Sequence, residues 1–179
     1  MEIKNHIVQG IKFLRSPNFN ERPEQQIISL LVIHSISLPP KQYQTDHIEK
    51  FFLNELDFSL HEFYKQIQDL KVSSHILIKR NGEIIQFVPF NKRAWHAGVS
   101  SLEGVRDCND YSIGIELEGS DDDLFADDQY DSLKTLTSLI MKEYDLITKD
   151  RILGHSDIAP GRKKDPGNLF DWDSYLSNV

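Results

Sequence analysis

The chain has 179 residues, a formal net charge of −8, and 39% hydrophobic against 27% charged residues, the profile of a single domain with a proper core. The acidic balance excludes a nucleic-acid binder, which needs a basic face to displace counterions from phosphate. A lone cysteine, Cys108, excludes an intramolecular disulfide, and no window approaches the ~20 apolar residues of a membrane span. The N-terminus also lacks the apolar stretch of a signal peptide, so the expectation is a cytoplasmic monomer with no membrane or nucleic-acid partner.

Residues 1–25 are polar and proline-marked, and read as an extended arm with a short strand, packed on a domain that fills 1–179. Leu30 to Ile33 is a leucine and β-branched run, as expected of a strand buried on both faces, and His34 follows it. Leu38-Pro39-Pro40 breaks regular structure. Apolar residues at Leu60, Phe63, Tyr64, Ile67 and Leu70 predict a helix over 60–70, capped by Ser59. Asn81-Gly82, between His75-Ile76-Leu77-Ile78 and Ile84-Ile85-Gln86-Phe87-Val88, predicts a hairpin with a type I′ turn.

A further strand is expected over 111–118, where Ile113, Ile115 and Leu117 alternate with small or polar residues. Asp121-Asp122-Asp123 and Asp127-Asp128 lack the glycine and terminal glutamate of a calcium loop and read as solvated surface. The longest helix is predicted over Asp127 to Tyr144, with acids in its first turn that suit the helix dipole. Arg151 to Gly154 reads as a short strand, and Trp172 to Leu176 as a terminal helix. This order predicts an α/β fold, a single mixed sheet flanked by helices.

Between that last strand and helix lies a Pro/Gly-punctuated loop, Gly154 to Gly167, with His155 at one end, Asp165 at the other, and Arg162-Lys163-Lys164 between. With His34 upstream, two imidazoles and one carboxylate suffice to hold a zinc ion and leave its fourth position for water. Each residue alone has a plainer reading: hydrogen-bonded core histidines and a turn carboxylate. No HExxH helix or CxxC pair competes for a metal, and the basic triplet lacks the glycines of a phosphate loop.

His34 after its strand, Ser73-Ser74-His75, Ala94-Trp95-His96-Ala97-Gly98, Ser112-Ile113-Gly114-Ile115-Glu116 and the 154–167 loop stand in an order that resembles the zinc-dependent N-acetylmuramoyl-L-alanine amidases. That family also includes the peptidoglycan-recognition proteins. The likeness is closest to its cytosolic branch, which acts on 1,6-anhydro-muropeptides. The resemblance implies the family's fold, one zinc ion on His34, His155 and Asp165, and catalytic work for Glu116 and Lys163. The chemistry is consistent: zinc lowers the pKa of bound water from ~15.7 toward ~7, a carboxylate relays its proton, and an ammonium neutralises the oxyanion.

Trp95 and His96 are expected to line the groove, and His75 to pack near the zinc or orient a ligand. His47 and His61, in polar helical stretches, carry no functional case. Arg106 is expected to bind a stem-peptide carboxylate bidentately. Ser35, Lys71 and Lys164 depart from the asparagine, arginine and threonine usual in that branch, which puts contacts of Ser35 and Lys71 with substrate in doubt rather than the reaction. The implied function is hydrolysis of the amide between the lactyl group of anhydro-muramic acid and L-alanine in a small soluble muropeptide. Two other readings stay open: a non-catalytic muropeptide-binding protein, and an amidase of intact peptidoglycan.

Overall fold

The arm of residues 1–25 contributes four short strands rather than one: β1 (Ile3–Lys4), β2 (Ile7–Val8), β3 (Lys12–Phe13) and β4 (Phe19–Glu21). In this computed structural model, which describes residues 1–177 and 179, the chain continues through β5 (Leu30–Ile36) and a helix α1 (His47–Phe52). Then come β6 (Ile76–Ile78), β7 (Ile84–Gln86), β8 (Lys92–Ala94), β9 (Ser101–Leu102), β10 (Val105–Arg106) and β11 (Ser112–Glu118). The last third holds α2 (Asp127–Glu143), β12 (Ile152–Gly154), α3 (His155–Ile158) and α4 (Trp172–Leu176). Asn178, inside the expected domain, lies outside the described residues.

The central sheet has six strands in the order β12-β5-β11-β6-β7-β3. The first four run parallel, and β7 and β3 run against them, so the sheet is mixed as expected. Alternation along the two longest strands divides the molecule. Leu31, Ile33, Ile113, Ile115 and Leu117 pack with Leu133, Leu136 and Ile140 of α2 on one face. On the other, Leu77 and Ile85 pack with Ile48, Phe51 and Phe52 of α1 and with Tyr64, while Leu30 and Val32 meet Ala97, Tyr111 and Ile158.

Two expectations fail for local reasons. Only Glu62–Gln66 of the predicted 60–70 helix is helical, and as a 3-10 turn. Leu60 and Leu70, the ends of its supposed stripe, are 57% and 50% exposed, so no continuous apolar face is buried there. His61 caps the turn through its ring, accepting from the Phe63 amide, whereas Ser59 is engaged with Asp57. At the hairpin, Gly82 alone takes positive φ (78°), and its amide donates to the Lys79 carbonyl at 2.9 Å. That makes a type I turn over Arg80-Asn81 followed by a left-handed glycine, rather than type I′. A side chain on Gly82 would also meet the Asp128 carbonyl oxygen at 2.8 Å.

Candidate active site

His34 lies within β5, not after it, and faces Glu116 of β11 across a parallel ladder in which the two residues are direct partners. On the other side of β5, Gly154 pairs with Ile33, which places His155, the next residue, beside His34. Three neighbouring strands thus deliver His155, His34 and Glu116 at their carboxyl ends, where open α/β sheets bind ligands. The loop that follows α3 returns Asp165 to the same point, held by the Ser156 amide donating to the Asp165 carbonyl at 3.0 Å.

The Nδ1 atoms of His34 and His155 lie 2.9 Å apart, and Asp165 Oδ2 lies 3.1 and 3.0 Å from them. Two imidazole nitrogens and a carboxylate oxygen aimed at one point, all within 4.8 Å of one another, form a group that could hold a metal ion. The donor set fits a divalent cation of zinc's borderline character. His155 Nε2 donates to the Ala97 carbonyl at 2.9 Å, which leaves Nδ1 bare on the side facing Asp165.

Burial shapes the electrostatics. It lowers the His34 pKa to about 4, against a smaller opposing pull from the neighbouring Asp165 carboxylate, so the ring is neutral at neutral pH. Burial alone would raise the Asp165 carboxyl, yet its close contacts with His155 and His34 hold it well below the usual carboxylate range. Glu116 moves the other way. Burial and the charge of Asp165 push its pKa well above the ordinary value, only partly countered by Lys163. Its Oε2 is buried with no hydrogen-bond partner, one of two such side-chain oxygens among the described residues, the other being Glu49 Oε2. A carboxyl left unpaired in the floor of a cavity costs stability and is free to exchange a proton there.

That cavity, of about 310 Å³, is lined by Glu116, His155, Lys163 and Asp165 at one end and by Phe51, Phe63, Ile67, Leu70 and Val72 at the other. Ser35, Trp95 and His96 also line it, and the Trp95 indole donates to Asn20 at 2.7 Å. His96 does more than line the groove, since its Nδ1 lies 2.9 Å from His34 Nε2. His75 meets neither His34 nor His155 through a hydrogen bond. It accepts from the Gly114 amide at 3.0 Å and donates to the Lys92 carbonyl at 3.0 Å, tying β11 to β8 beneath His96. Lys71 is exposed and absent from the lining, although its neighbours Leu70 and Val72 belong to it.

Arg106 stands apart. It lines a second cavity of about 660 Å³ with Val99, Asp107, Pro160 and Arg162, outside the cavity that holds Glu116. It sits on a β9-β10 ribbon turned by Glu103 and Gly104, both at positive φ. Two residues escaped the sequence reading. Arg22, half-buried, donates to four carbonyls, of Phe90, Asn109, Asp110 and Ser112, and desolvation lowers its pKa to about 10. Asn109 accepts from the amides of His96 and Ala97 and so fixes the segment that carries them. Neither belongs to a motif, and only their backbone hydrogen bonds mark them.

The sequence matches the N-acetylmuramoyl-L-alanine amidase family over residues 23–168. It is 53% identical over 178 residues to the 1,6-anhydro-N-acetylmuramyl-L-alanine amidase AmpD of Haemophilus influenzae, covering 99% of this chain and 97% of that protein. A crystal structure of a selenomethionine AmpD derivative superposes with a TM-score of 0.97 at 44% identity, over 100% of this chain and 99% of that one. The Escherichia coli amidase AmiD, solved in complex with the substrate anhydro-N-acetylmuramic acid-L-Ala-D-γ-Glu-L-Lys, gives a TM-score of 0.61 at 30% identity, over 90% of this chain and 65% of that one. By these matches in sequence and fold, the chain belongs to the N-acetylmuramoyl-L-alanine amidase family.

Proposed function

We propose that this chain is a zinc-dependent amidase that cleaves the bond between the lactyl group of 1,6-anhydro-N-acetylmuramic acid and L-alanine. It acts in the cytoplasm, as a monomer, on small soluble muropeptides recovered from the cell wall. The observation that carries this reading is the meeting of His34, His155 and Asp165, the last two lining one cavity with Lys163 and a buried, unpaired Glu116 carboxyl. The full-length likeness to AmpD, and the substrate named for the AmiD complex, support the choice of bond.

His34 Nδ1, His155 Nδ1 and Asp165 would hold the ion, which when bound supplies Lewis acidity and a water of lowered pKa. The remaining chemistry belongs to the chain. Glu116, made more basic by burial, takes the proton of the attacking water and later gives one to the departing alanine nitrogen. The C–N bond breaks, leaving a lactyl carboxylate and a free amino group. Lys163, which lines the same cavity, balances the negative charge that grows on the oxygen of the scissile carbonyl. The apolar end of the cavity and Trp95 give the sugar and lactyl methyl a surface that excludes water.

Zinc-loaded protein incubated with anhydro-muropeptides, and separately with insoluble sacculi, tests the reading. Release of stem peptide from the soluble fragments is the expected result. Turnover of neither substrate would favour a binding protein, and release from sacculi alone would favour a wall amidase.

A further inference from the structure

The two imidazoles beside Asp165 are held in different ways. His155 Nε2 donates straight to a backbone carbonyl, that of Ala97. His34 Nε2 meets another ring, and a neutral imidazole can donate or accept at either nitrogen. Something must decide which. The Ser112 hydroxyl donates its single proton to the Cys108 carbonyl at 2.6 Å. Its oxygen, 3.2 Å from His96 Nε2, can then only accept, so Nε2 carries the His96 proton and Nδ1 is bare. A bare His96 Nδ1 at 2.9 Å requires a proton on His34 Nε2, and His34 Nδ1 keeps its lone pair for the point it shares with His155 and Asp165.

The backbone is shaped to seat this chain of bonds. Ser112, Gly114 and Glu116 alternate along one face of β11. His96 lies against the middle position so closely that a Cβ on Gly114 would fall 2.5 Å from its ring. On its far side the His75 ring packs edge-on at 5.7 Å. The His34 and His96 rings meet at 83° with centroids 5.0 Å apart, which aims the nitrogens rather than the faces at each other.

We infer that His96 is a positioning residue, which with Ser112 and the Cys108 carbonyl fixes the tautomer and orientation of His34 for metal binding. The inference rests on the zinc reading above, although its first half concerns the metal-free chain. Outer partners of this kind alter metal affinity by about 10- to 100-fold. Asparagine at 96 can place an amide oxygen where His96 Nδ1 stands, and phenylalanine keeps the ring without an acceptor.

The test combines zinc affinity, by chelator competition, with nitrogen-15 NMR of the ring protons of the metal-free full-length chain. The His34 Nε2 proton should be visible and slow to exchange in the wild type and in His96→Asn, and lost in His96→Phe. Zinc affinity should fall about 10- to 100-fold in His96→Phe and stay within about threefold in His96→Asn. Ser112→Ala, which leaves His96 in place, should weaken zinc about tenfold. Zinc affinity unchanged in His96→Phe or in Ser112→Ala would overturn the inference, as would equal losses in His96→Asn and His96→Phe. A wild type that takes up no zinc would sink the metal reading, while the His34 ring proton would still decide the hydrogen-bond relay. Should His96→Phe fail to fold, His96→Asn and Ser112→Ala decide it.

Discussion

At the scale of single residues, Glu116 carries an electrostatic penalty that the fold does not relieve. Its oxygen has no donor, Asp165 repels it, and Lys163 compensates only in part. Replacement by glutamine removes the proton carrier and keeps the shape. Glu116→Gln should therefore retain one zinc per chain by metal analysis and lose about 10²- to 10⁴-fold in kcat on anhydro-muropeptide. Asp165→Ala should lose the zinc itself and with it nearly all activity, and normal zinc content in that variant would remove Asp165 from the proposed ligand set. The meeting of His34, His155 and Asp165 was legible in the sequence because strand ends and a punctuated loop fix where side chains begin. Where long side chains finish was not. Trp95 reaches the groove, His96 turns toward His34, and Arg106 and Lys71 point elsewhere, all through packing between segments distant in the chain.

At the scale of elements, α2 is joined to the sheet by one fully buried side chain as well as by its apolar stripe. Gln129 donates to the carbonyls of Ile78 and Glu118 and accepts from the Ala126 amide, so it closes the helix start while binding two strands. Gln129→Leu would strand those groups without partners. Urea unfolding should show a loss of about 1–3 kcal/mol, with kcat little changed because Gln129 lines no part of the cavity. The long helix and β11 were readable because their periodicity runs through several turns or pleats, and β5 because its apolar residues run without a break. The 3-10 turn at Glu62–Gln66 was misread because five residues with three apolar neighbours satisfy a helical spacing without a helix. The two-residue strands of the arm are too short to show any period.

At the scale of the whole molecule, folding buries neutral imidazoles that the unfolded chain would protonate. His75 is the cleanest case. Burial, aided by the charge of Arg22, lowers its pKa from the ordinary 6.5 to about 3. A depressed histidine contributes stability that is present above the unfolded pKa and disappears as pH falls through the folded one. Metal-free protein should thus lose stability from about pH 6.5 toward pH 3, at about 1.4 kcal/mol per pH unit for each such ring. In His75→Gln the slope, from urea titrations at several pH values, should drop by about one proton. An identical slope would mean that His75 titrates normally in the native state.

The proposed ligand set is divided between rigid and movable supports. His34 and His155 issue from adjoining strands, but Asp165 hangs on a loop clamped by Arg162, which donates to the carbonyls of Ala97 and Val99 at 2.6 Å each. Residence time of the ion would then be governed by transient release of that loop, without melting of the sheet. A chelator should strip the protein well below its unfolding temperature, and faster once Arg162 is shortened.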